Sequence, residues 1–338
     1  MFCPSLDFVP TGRPVGARRM GRFARLCAAL VLVSAAATNA VQARPCAEVD
    51  SDARAAQATH DLTALIRFYH EAHDPVSGCD PAFLADFGRD VALAHVDAFA
   101  SALAEDPDPE HHKYLLEEAR SYGEPWQLLL TLAEVEYEGS NHDLAAAYYQ
   151  QAIRQIETAT RGVNTGSAAD QNLPSPEDFE MIYGRMAESA LLANTFSPPA
   201  ASRGEDVGGL FTESYRGYVV QAVPVPVQFQ FDSTRFTAKG AQVAQYLLEY
   251  LLGQNLPLIR LVGHTDPVGP ADYNYGLSLR RAQAVADYLL QGGYAGAIEV
   301  EGHGETEPFQ PVDPARFAND LDAKHQLDRR VELVRNPN

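Results

Sequence analysis

The chain has 338 residues, enough for two domains of ordinary size, and 46% of them are hydrophobic, which is sufficient for buried cores. Its 45 acidic residues outnumber its 26 basic ones, so the formal net charge is −19. A surface of this kind repels phosphate backbones and anionic lipid headgroups, which argues against a nucleic-acid-binding or membrane-surface protein.

The first 43 residues have the layout of a secretory signal peptide. Five arginines stand there against one acidic residue, and an apolar run of twelve residues follows at 26–37. Val41 and Ala43 then supply the small residues of a cleavage site. Twelve apolar residues are too few to span a bilayer. We therefore expect residues 1–43 to be removed by cleavage after Ala43.

Two cysteines, Cys46 and Cys79, remain after that cleavage. An even pair in an exported protein predicts a disulfide, with two free thiols as the alternative. Closing a loop of this span would stabilise the fold by roughly 3–4 kcal/mol in the chain-entropy model. A lipid anchor on Cys46 is disfavoured because Arg44 and Pro45 stand where bacterial lipoprotein signals have small residues.

Apolar residues recur at helical spacing through residues 44–196, which predicts an acidic all-α domain. Residues 128–137 and 144–156 form a predicted helix pair across a turn at 139–141. The second of these helices resembles the second helix of a tetratricopeptide repeat, although no clean internal period supports a repeat array. The match rests on the small and aromatic residues Ala145, Tyr149 and Ala152. Residues 161–177 are predicted to be a loop.

A Pro- and Gly-rich stretch at 197–222 is the predicted linker to a second domain at 223–338. From Val223 the apolar period changes to two, which indicates a strand that runs to Phe231. The following pattern reads β-α-β-α-β-β, which predicts a two-layer domain in which helices cover one face of a sheet. The predicted strands are 223–231, 258–262, 298–301 and 330–334. The first predicted helix has Thr237 as its N-cap, and the second spans 274–290. Residues 304–328 are predicted to be a long excursion with one short helix. The fold class is therefore α+β.

A group of polar and charged residues that could bind a ligand follows the second of these strands. The segment 263–266 reads Gly-His-Thr-Asp and is followed by Asn274 and Arg281 on the next helix. At about 100° per residue, Arg281 lies at the border of the apolar helix face, whereas Arg280 points to solvent. Asn274 fits as the N-cap of that helix.

An acid and a base in this arrangement suit a small zwitterion. Asp266 would accept hydrogen bonds from a ligand ammonium, and Arg281 would hold a ligand carboxylate in a bidentate fork, aided by the helix N-terminus. Charged hydrogen bonds contribute about 1.5–3 kcal/mol each. The alternative is that Asp266 and Arg281 pair only with each other to lock the loop.

These residues carry a family resemblance: residues 223–338 resemble the C-terminal domain of the OmpA/MotB/peptidoglycan-associated-lipoprotein family. The matching positions are Phe231, Gly263, His264, Thr265, Asp266, Gly269, Tyr273, Asn274, Leu277, Ser278, Arg281, Ala282, Gly302, Gly304, Glu305, Pro308, Arg329, Arg330 and Val331. Asp328 departs from the asparagine of many members.

The resemblance implies non-covalent binding of peptidoglycan through the zwitterionic end of diaminopimelate in the stem peptide. In that family the acid matches Asp266 and the base matches Arg281. The remaining ligand-binding positions that it implies here are Asn274, Leu277, Thr265, Arg329 and Arg330.

No catalytic residue, cofactor or metal site is predicted. His264 and Asp266 could supply half of a metal site, but no third ligand is evident in the sequence. His70, His73 and Asp74 lie on one helical turn and are better explained as solvated surface residues. The sequence contains no metalloprotease, serine-hydrolase or phosphate-loop motif.

The sequence as a whole predicts a periplasmic peptidoglycan-binding protein, associated with the cell wall or outer membrane and without a transmembrane span in the mature chain. Its helical domain would present an unidentified protein partner at the wall. Three alternatives stay open: an enzyme or envelope-complex subunit active through the helical domain, a flagellar-stator-like channel subunit, and an interaction protein that has lost ligand binding. The start codon (Met1 or Met20) and the oligomeric state also stay open.

Overall fold

The structure is a computed structural model, and it describes residues 44–163, 173–196, 209–254 and 256–335. The predicted signal peptide therefore lies outside the described residues. So do the first part of the predicted linker and most of the predicted loop between the last two helices of the N-terminal region. Within the part of the chain that is described, no helix has the length and apolar character needed to cross a bilayer.

Residues 44–196, the helical region, contain seven helices in their described parts. Asp61, Asp80 and Asp108 each accept a backbone hydrogen bond as N-caps, and proline follows the last two at the first helical position. The helices are α1 Cys46–Ala58, α2 Leu62–Ala72, α3 Pro81–Glu105, α4 Pro109–Ala119, α5 Trp126–Glu138, α6 His142–Val163 and α7 Pro176–Leu192. The predicted helix pair is confirmed as α5 and α6.

The predicted disulfide is confirmed. Cys46 and Cys79 are bonded, with their Cα atoms 5.1 Å apart. The bond joins the start of α1 to the segment before α3, where a small hydrophobic cluster separate from the main core includes Val49, Leu65 and Phe87. The covalent link therefore supports a part of the helical region whose core is separate from the main one.

The C-terminal elements follow the predicted order. The described residues contain β1 Ser214–Tyr215, β2 Tyr218–Val219, β3 Ala222–Val225, α8 Ala238–Gln254, β4 Leu258–His264, α9 Ala271–Gln291, β5 Ala297–Gly304, α10 Leu321–Asp328 and β6 Val331–Arg335. The four-stranded sheet has the order β3-β6-β4-β5, in which β4 and β5 are parallel and the other pairs are antiparallel. The parallel pair requires a crossover, which α9 supplies. This arrangement confirms the α+β class.

The first strand is shorter than predicted. β3 ends at Val225 because Pro226 has no amide hydrogen to continue the ladder. Pro224 is tolerated because β3 is an edge strand, as its prolines predicted. Beyond it, Phe229 forms an isolated bridge with Phe236, and Phe231 is fully exposed. The alternation after Val225 therefore belongs to a loop.

The second half of the predicted linker is folded rather than open. Gly209–Phe211 form a 3-10 helix, and Phe211 stacks on Tyr250 of α8 with ring centroids 4.5 Å apart. The hydroxyl of Tyr183 on α7 donates to the carbonyl of Leu210 at 2.8 Å. One continuous hydrophobic core extends from the helical region through these residues to the sheet. The described residues accordingly all belong to one compact unit, Ala43–Asn338.

The long excursion between β5 and β6 packs on the helical region. Arg316 lies over the ring of Tyr137 at 4.3 Å and forms an ion pair of 2.7 Å with Glu138. Gln326 donates to the carbonyls of Leu191 and Leu192 at 3.0 and 3.1 Å. Gln326 thus attaches α10 to the C-terminal end of α7, and Arg316 attaches the segment before α10 to the C-terminal end of α5.

Lys239 of α8 makes a second attachment to α7. It is buried, and its ammonium donates to the carbonyls of Ala190 and Ala193 at 2.8 and 2.5 Å. Burial lowers the pKa of Lys239 to about 8. The folded state therefore binds fewer protons than the unfolded chain between about pH 8 and about pH 10.5, so this group destabilises the fold below about pH 8 and less so above it.

We expect the free energy of unfolding of the wild type, relative to Lys239→Met, to rise by about 1.5 kcal/mol between about pH 8 and about pH 9.5. Urea unfolding of both proteins at the two pH values measures this difference, and the comparison cancels the titration of tyrosines common to both. Parallel pH profiles would show that Lys239 does not carry the shifted pKa.

Candidate functional site

Two glycines bring α9 close to the strands that it covers. A Cβ on Gly263 of β4 would lie 2.1 Å from the carbonyl oxygen of Ser278, and one on Gly302 of β5 would lie 2.6 Å from the amide nitrogen of Leu279. Only glycine allows this approach. It sets the first turns of α9 beside the loop that follows β4.

That loop carries the predicted acid. The amide of Thr265 donates to the carbonyl of Gly304 at 2.8 Å and so continues the pairing of β4 and β5. Asp266 follows, with 16% of its side chain exposed. Its Oδ1 accepts from the amide of Val268 at 3.1 Å, and its Oδ2 accepts from Nη1 of Arg329 at 2.7 Å. The ion-pair partner of Asp266 is thus Arg329 and not Arg281.

Asn274 holds the loop from the helix side. α9 begins at Ala271, with Pro270 at the N-cap, so the prediction that Asn274 caps the helix is wrong. Its buried side chain lies in the first turns of α9 instead. There it donates to the backbone carbonyl of Asp266 at 3.3 Å and to Oε2 of Glu305 at 2.6 Å. Asn274 therefore positions the acid-bearing loop against the end of β5.

Arg281, the predicted base, is 6% exposed. Its Nε donates to the carbonyl of Ser233 at 3.2 Å, and its guanidinium lies 5.1 Å from the centroid of the Phe229 ring. Among the described residues, no acceptor binds its terminal nitrogens and no carboxylate lies within ion-pair distance. Burial, and then the nearby charge of Arg329, lower the pKa of Arg281, whereas Asp266 raises it. The guanidinium still remains charged at neutral pH.

The neighbouring arginine behaves as predicted. Arg280 is exposed, and its guanidinium lies 5.9 Å from the centroid of the Tyr273 ring on the helix surface. The buried half of α9 contains Ser278, Ala282 and Val285. Helical geometry therefore distinguished the two arginines correctly.

Arg281 and Arg329 face a common pocket of about 260 Å³. Phe229 and Gln228 line it from the loop after β3, and Gln326 lines it from α10. Leu191 at the end of α7 and Asn194 just after that helix form another wall. The pocket thus combines two cations with a wall from the helical region, and it favours an anionic group.

The other predicted residues divide between this site and the rest of the fold. Leu277 is buried on α9, and Thr265 is buried with no partner for its hydroxyl among the described residues. Arg330 lies apart from Arg329, because its Nε donates to Glu332 at 2.7 Å and its guanidinium lies over Phe309. It lines a different pocket, of about 500 Å³, together with Tyr183 of α7. The adjacent arginines therefore serve two different pockets.

The sequence reasoning missed the loop after β3. Ser233 contributes only a backbone carbonyl, for which residue type carries no signal. Phe229 lies beneath Arg281, although the alternation placed it in a strand. Tyr273 donates to the carboxylate of Asp232 and so ties this loop to α9. The sequence contains no signal that residues of α7 line this pocket, because local patterns do not indicate which distant helix packs beside it.

The segment that contains this constellation, residues 228–318, matches the family model described as the OmpA family. The C-terminal part of the chain is an OmpA-family domain. The domain includes the loop after β3, the Asp266 loop, all of α9 and β5, and most of the excursion that follows β5. Arg329 and Arg330 lie just beyond the matched residues.

Known proteins share this part of the chain. Outer membrane protein A of Shimwellia blattae is 36% identical over 112 residues, which are 32% of this chain and 46% of that protein. The peptidoglycan-associated lipoprotein of Legionella pneumophila is 31% identical over 107 residues, 31% of this chain and 57% of that protein. The crystal structure of the peptidoglycan-associated lipoprotein from Burkholderia pseudomallei is 26% identical and covers 34% of this chain and 89% of that chain, with a TM-score of 0.27.

The family model matches residues 228–318 and does not include the helical region. The chain spans about half the length of the two relatives named first, and the matched residues make up about a third of this chain. The helical region therefore has to be understood from its own residues.

Proposed function

We propose that the protein binds peptidoglycan non-covalently through its OmpA-family domain. Asp266 and Arg281 would hold the zwitterionic end of diaminopimelate in the stem peptide, the acid taking the ammonium and the arginine the carboxylate. No bond is made or broken in this mechanism, so the protein would be a binding protein and not an enzyme. The name of the peptidoglycan-associated lipoprotein relative supports the choice of ligand.

The observation that carries the proposal is that the terminal nitrogens of Arg281 have no acceptor among the described residues. A buried cation without an ion-pair partner among the described residues has lost its hydration without full compensation. A ligand carboxylate would restore two parallel charged hydrogen bonds to its terminal nitrogens. The packing on Phe229 and the bond from Nε to Ser233 hold the fork in place, which lowers the entropy cost of binding.

Asp266 supports the second half of the clamp. Arg329 orients the carboxylate but engages only Oδ2, and a carboxylate offers about four lone-pair positions. Acceptor positions therefore remain for an ammonium group on the partly exposed side. Since Asp266 and Arg281 do not bind each other, the ligand would not need to break an ion pair between them.

The helical region would be held at the cell wall by this domain and would present an unidentified protein partner there. The shared core and the attachments through Lys239, Gln326 and Arg316 support a firm connection between the two regions. The proposed location is the periplasm, in association with the cell wall or outer membrane after removal of the signal peptide. The envelope proteins among the relatives support that location.

Co-sedimentation with purified diaminopimelate-type peptidoglycan tests the proposal. The wild type should pellet with the wall, whereas Asp266→Ala and Arg281→Ala, each folded by circular dichroism, should stay in the supernatant. If the wild type does not pellet, peptidoglycan binding is wrong. If both variants pellet equally well, binding occurs elsewhere on the protein.

Peptidoglycan with lysine in place of diaminopimelate distinguishes general peptidoglycan binding from specific recognition of diaminopimelate. The lysine side chain ends in an ammonium without the adjacent carboxylate, so Arg281 would lose its partner. We expect binding at least about tenfold weaker, because a charged hydrogen bond contributes about 1.5–3 kcal/mol. Equal binding to both walls would retain peptidoglycan as the ligand but refute recognition of diaminopimelate. Release of soluble wall fragments during the assay would favour the enzyme alternative.

A further inference from the structure

A cluster of histidines and carboxylates lies on the sheet face opposite α9. Gly263 and Gly302 point to α9, so the alternating residues of β4 and β5 point to the other face. His264 and His303 are on that face, with ring centroids 5.5 Å apart and nearly perpendicular planes. We call these residues, together with Glu307, the His264 cluster.

His264 is the unusual member of the cluster. It is 1% exposed, and neither ring nitrogen has a hydrogen-bond partner among the described residues. Its Nε2 lies 3.7 Å from Oε2 of Glu332, within ion-pair distance, so Nδ1 is the ring nitrogen that has no polar partner among the described residues. A buried imidazole nitrogen without a partner is costly, and such groups in native folds usually indicate a missing partner.

The other two members bring further ligand atoms to the same place. Nδ1 of His303 lies 2.9 Å from Oε2 of Glu307. One ligand atom from each of the three residues lies within 4.8 Å of the others. Two ligands on one tetrahedral Zn²⁺ lie about 3.4 Å apart when each bond is about 2.1 Å. Glu307 is 59% exposed, so a change of rotamer can complete the convergence.

We propose that His264, His303 and Glu307 form a Zn²⁺-binding site, with water as the fourth ligand. Two imidazoles and one carboxylate are a set that zinc accepts, whereas Mg²⁺ and Ca²⁺ prefer oxygen ligands alone. The sequence showed only His264 and Asp266 as half of a metal site. The structure supplies the further ligands from β5 and the turn after it, and Asp266 is not one of them.

Neighbouring carboxylates fit this assignment. Oε2 of Glu301 lies 3.4 Å from Nε2 of His303, on the side of the ring away from Nδ1 and Glu307. Metal-binding histidines commonly have their second ring nitrogen oriented by a carboxylate, which raises ligand basicity. The exposed position of Glu307 gives the ion a route from solvent, while His264 closes the buried side.

The site is separate from the residues proposed to bind peptidoglycan. It would join the end of β4 to the end of β5 and the turn beyond it. Failure of zinc binding would leave the peptidoglycan proposal untouched, and the reverse also holds.

Isothermal titration of the untagged mature protein, residues 44–338, with ZnCl₂, after chelation and dialysis, tests the site. We expect one Zn²⁺ per chain and a higher thermal unfolding midpoint with the ion, since a ligand bound only to the folded state stabilises it. His303→Gln and Glu307→Gln should each weaken binding at least about tenfold. Glu307 is exposed, so its variant should fold even if substitution of buried His264 does not.

Cobalt supplies a direct probe of the ligands. Co²⁺ should produce the visible absorption of a four-coordinate site in the wild type and in the control His70→Gln, but not in His303→Gln. His70 is an exposed histidine of α2 and lies in a different part of the chain from the proposed ligands. The proposal is overturned if neither ion binds, if Mg²⁺ binds as well as Zn²⁺, or if the His303 and Glu307 variants bind like the wild type.

Discussion

Replacing Arg281 by alanine is expected to weaken binding to diaminopimelate-type peptidoglycan about hundredfold. Loss of one partner from a desolvated, hydrogen-bonded charge pair costs about 2–5 kcal/mol, and about 2.7 kcal/mol corresponds to a hundredfold change. The side chain is buried against Phe229 and lines the pocket. Quantitative pelleting over a range of peptidoglycan concentrations measures the change.

The chain offers a matched control one residue away. Arg280→Ala removes the same charge from the same helix, but Arg280 is exposed beside Tyr273 and does not line the pocket. We expect its binding to remain within about twofold of the wild type, since exposed charges contribute little. Arg281→Lys should be intermediate, because an ammonium keeps the charge but loses the bidentate fork. Equal losses in the two alanine variants would indicate general electrostatic attraction and contradict the clamp.

Gly263→Ala is expected to destabilise the fold by about 3 kcal/mol. The added Cβ would lie 2.1 Å from the backbone oxygen of Ser278, and no side-chain rotation can relieve a contact with backbone. α9 would have to move away from β4. Because α9 carries Arg281, we also expect weaker peptidoglycan binding at temperatures where the variant is still folded. Denaturant unfolding and pelleting of the same preparation measure the two effects.

Gly253→Ala is the control for this substitution. Gly253 lies in α8, and a Cβ added there would meet no described atom within 4 Å, so alanine should be neutral or stabilise the helix by up to about 1 kcal/mol. If Gly263→Ala unfolds at the same denaturant concentration as the wild type, the approach of α9 to β4 is looser than the structure shows. The role of the glycine in positioning Arg281 would then be refuted.

The attachment of α7 and α10 places the helical region beside the pocket that Arg281 and Arg329 line. Leu191 and Asn194 line that pocket, while Gln326 both lines it and donates to the carbonyls of Leu191 and Leu192. The peptidoglycan proposal therefore involves more of the chain than the OmpA-family domain. A partner bound to the helical region would lie on a unit that shares one core with the ligand site.

The sequence by itself determined the features that depend on local pattern. The apolar period predicted α5, α6 and the β-α-β-α-β-β order, and the cysteine pair predicted the disulfide. Helical geometry separated Arg281 from Arg280, because 3.6 residues per turn decide which side chains share a face. The spacing of Gly263, Asp266, Asn274 and Arg281 was specific enough to indicate the family. Local errors arose where Pro226 ended β3 early and where Pro270 started α9 three residues before Asn274.

The tertiary structure alone decided which distant groups meet. Asp266 pairs with Arg329, 63 residues away in the chain, while adjacent Arg329 and Arg330 line different pockets. Leu191 of the helical region lines the same pocket as Arg281, and His264 lies near His303 and Glu307 on the outer sheet face. Such contacts depend on the register of β4 against β5 and on the packing of α7 and α10. Local residue patterns set the faces of single elements, whereas long-range packing sets which faces come together.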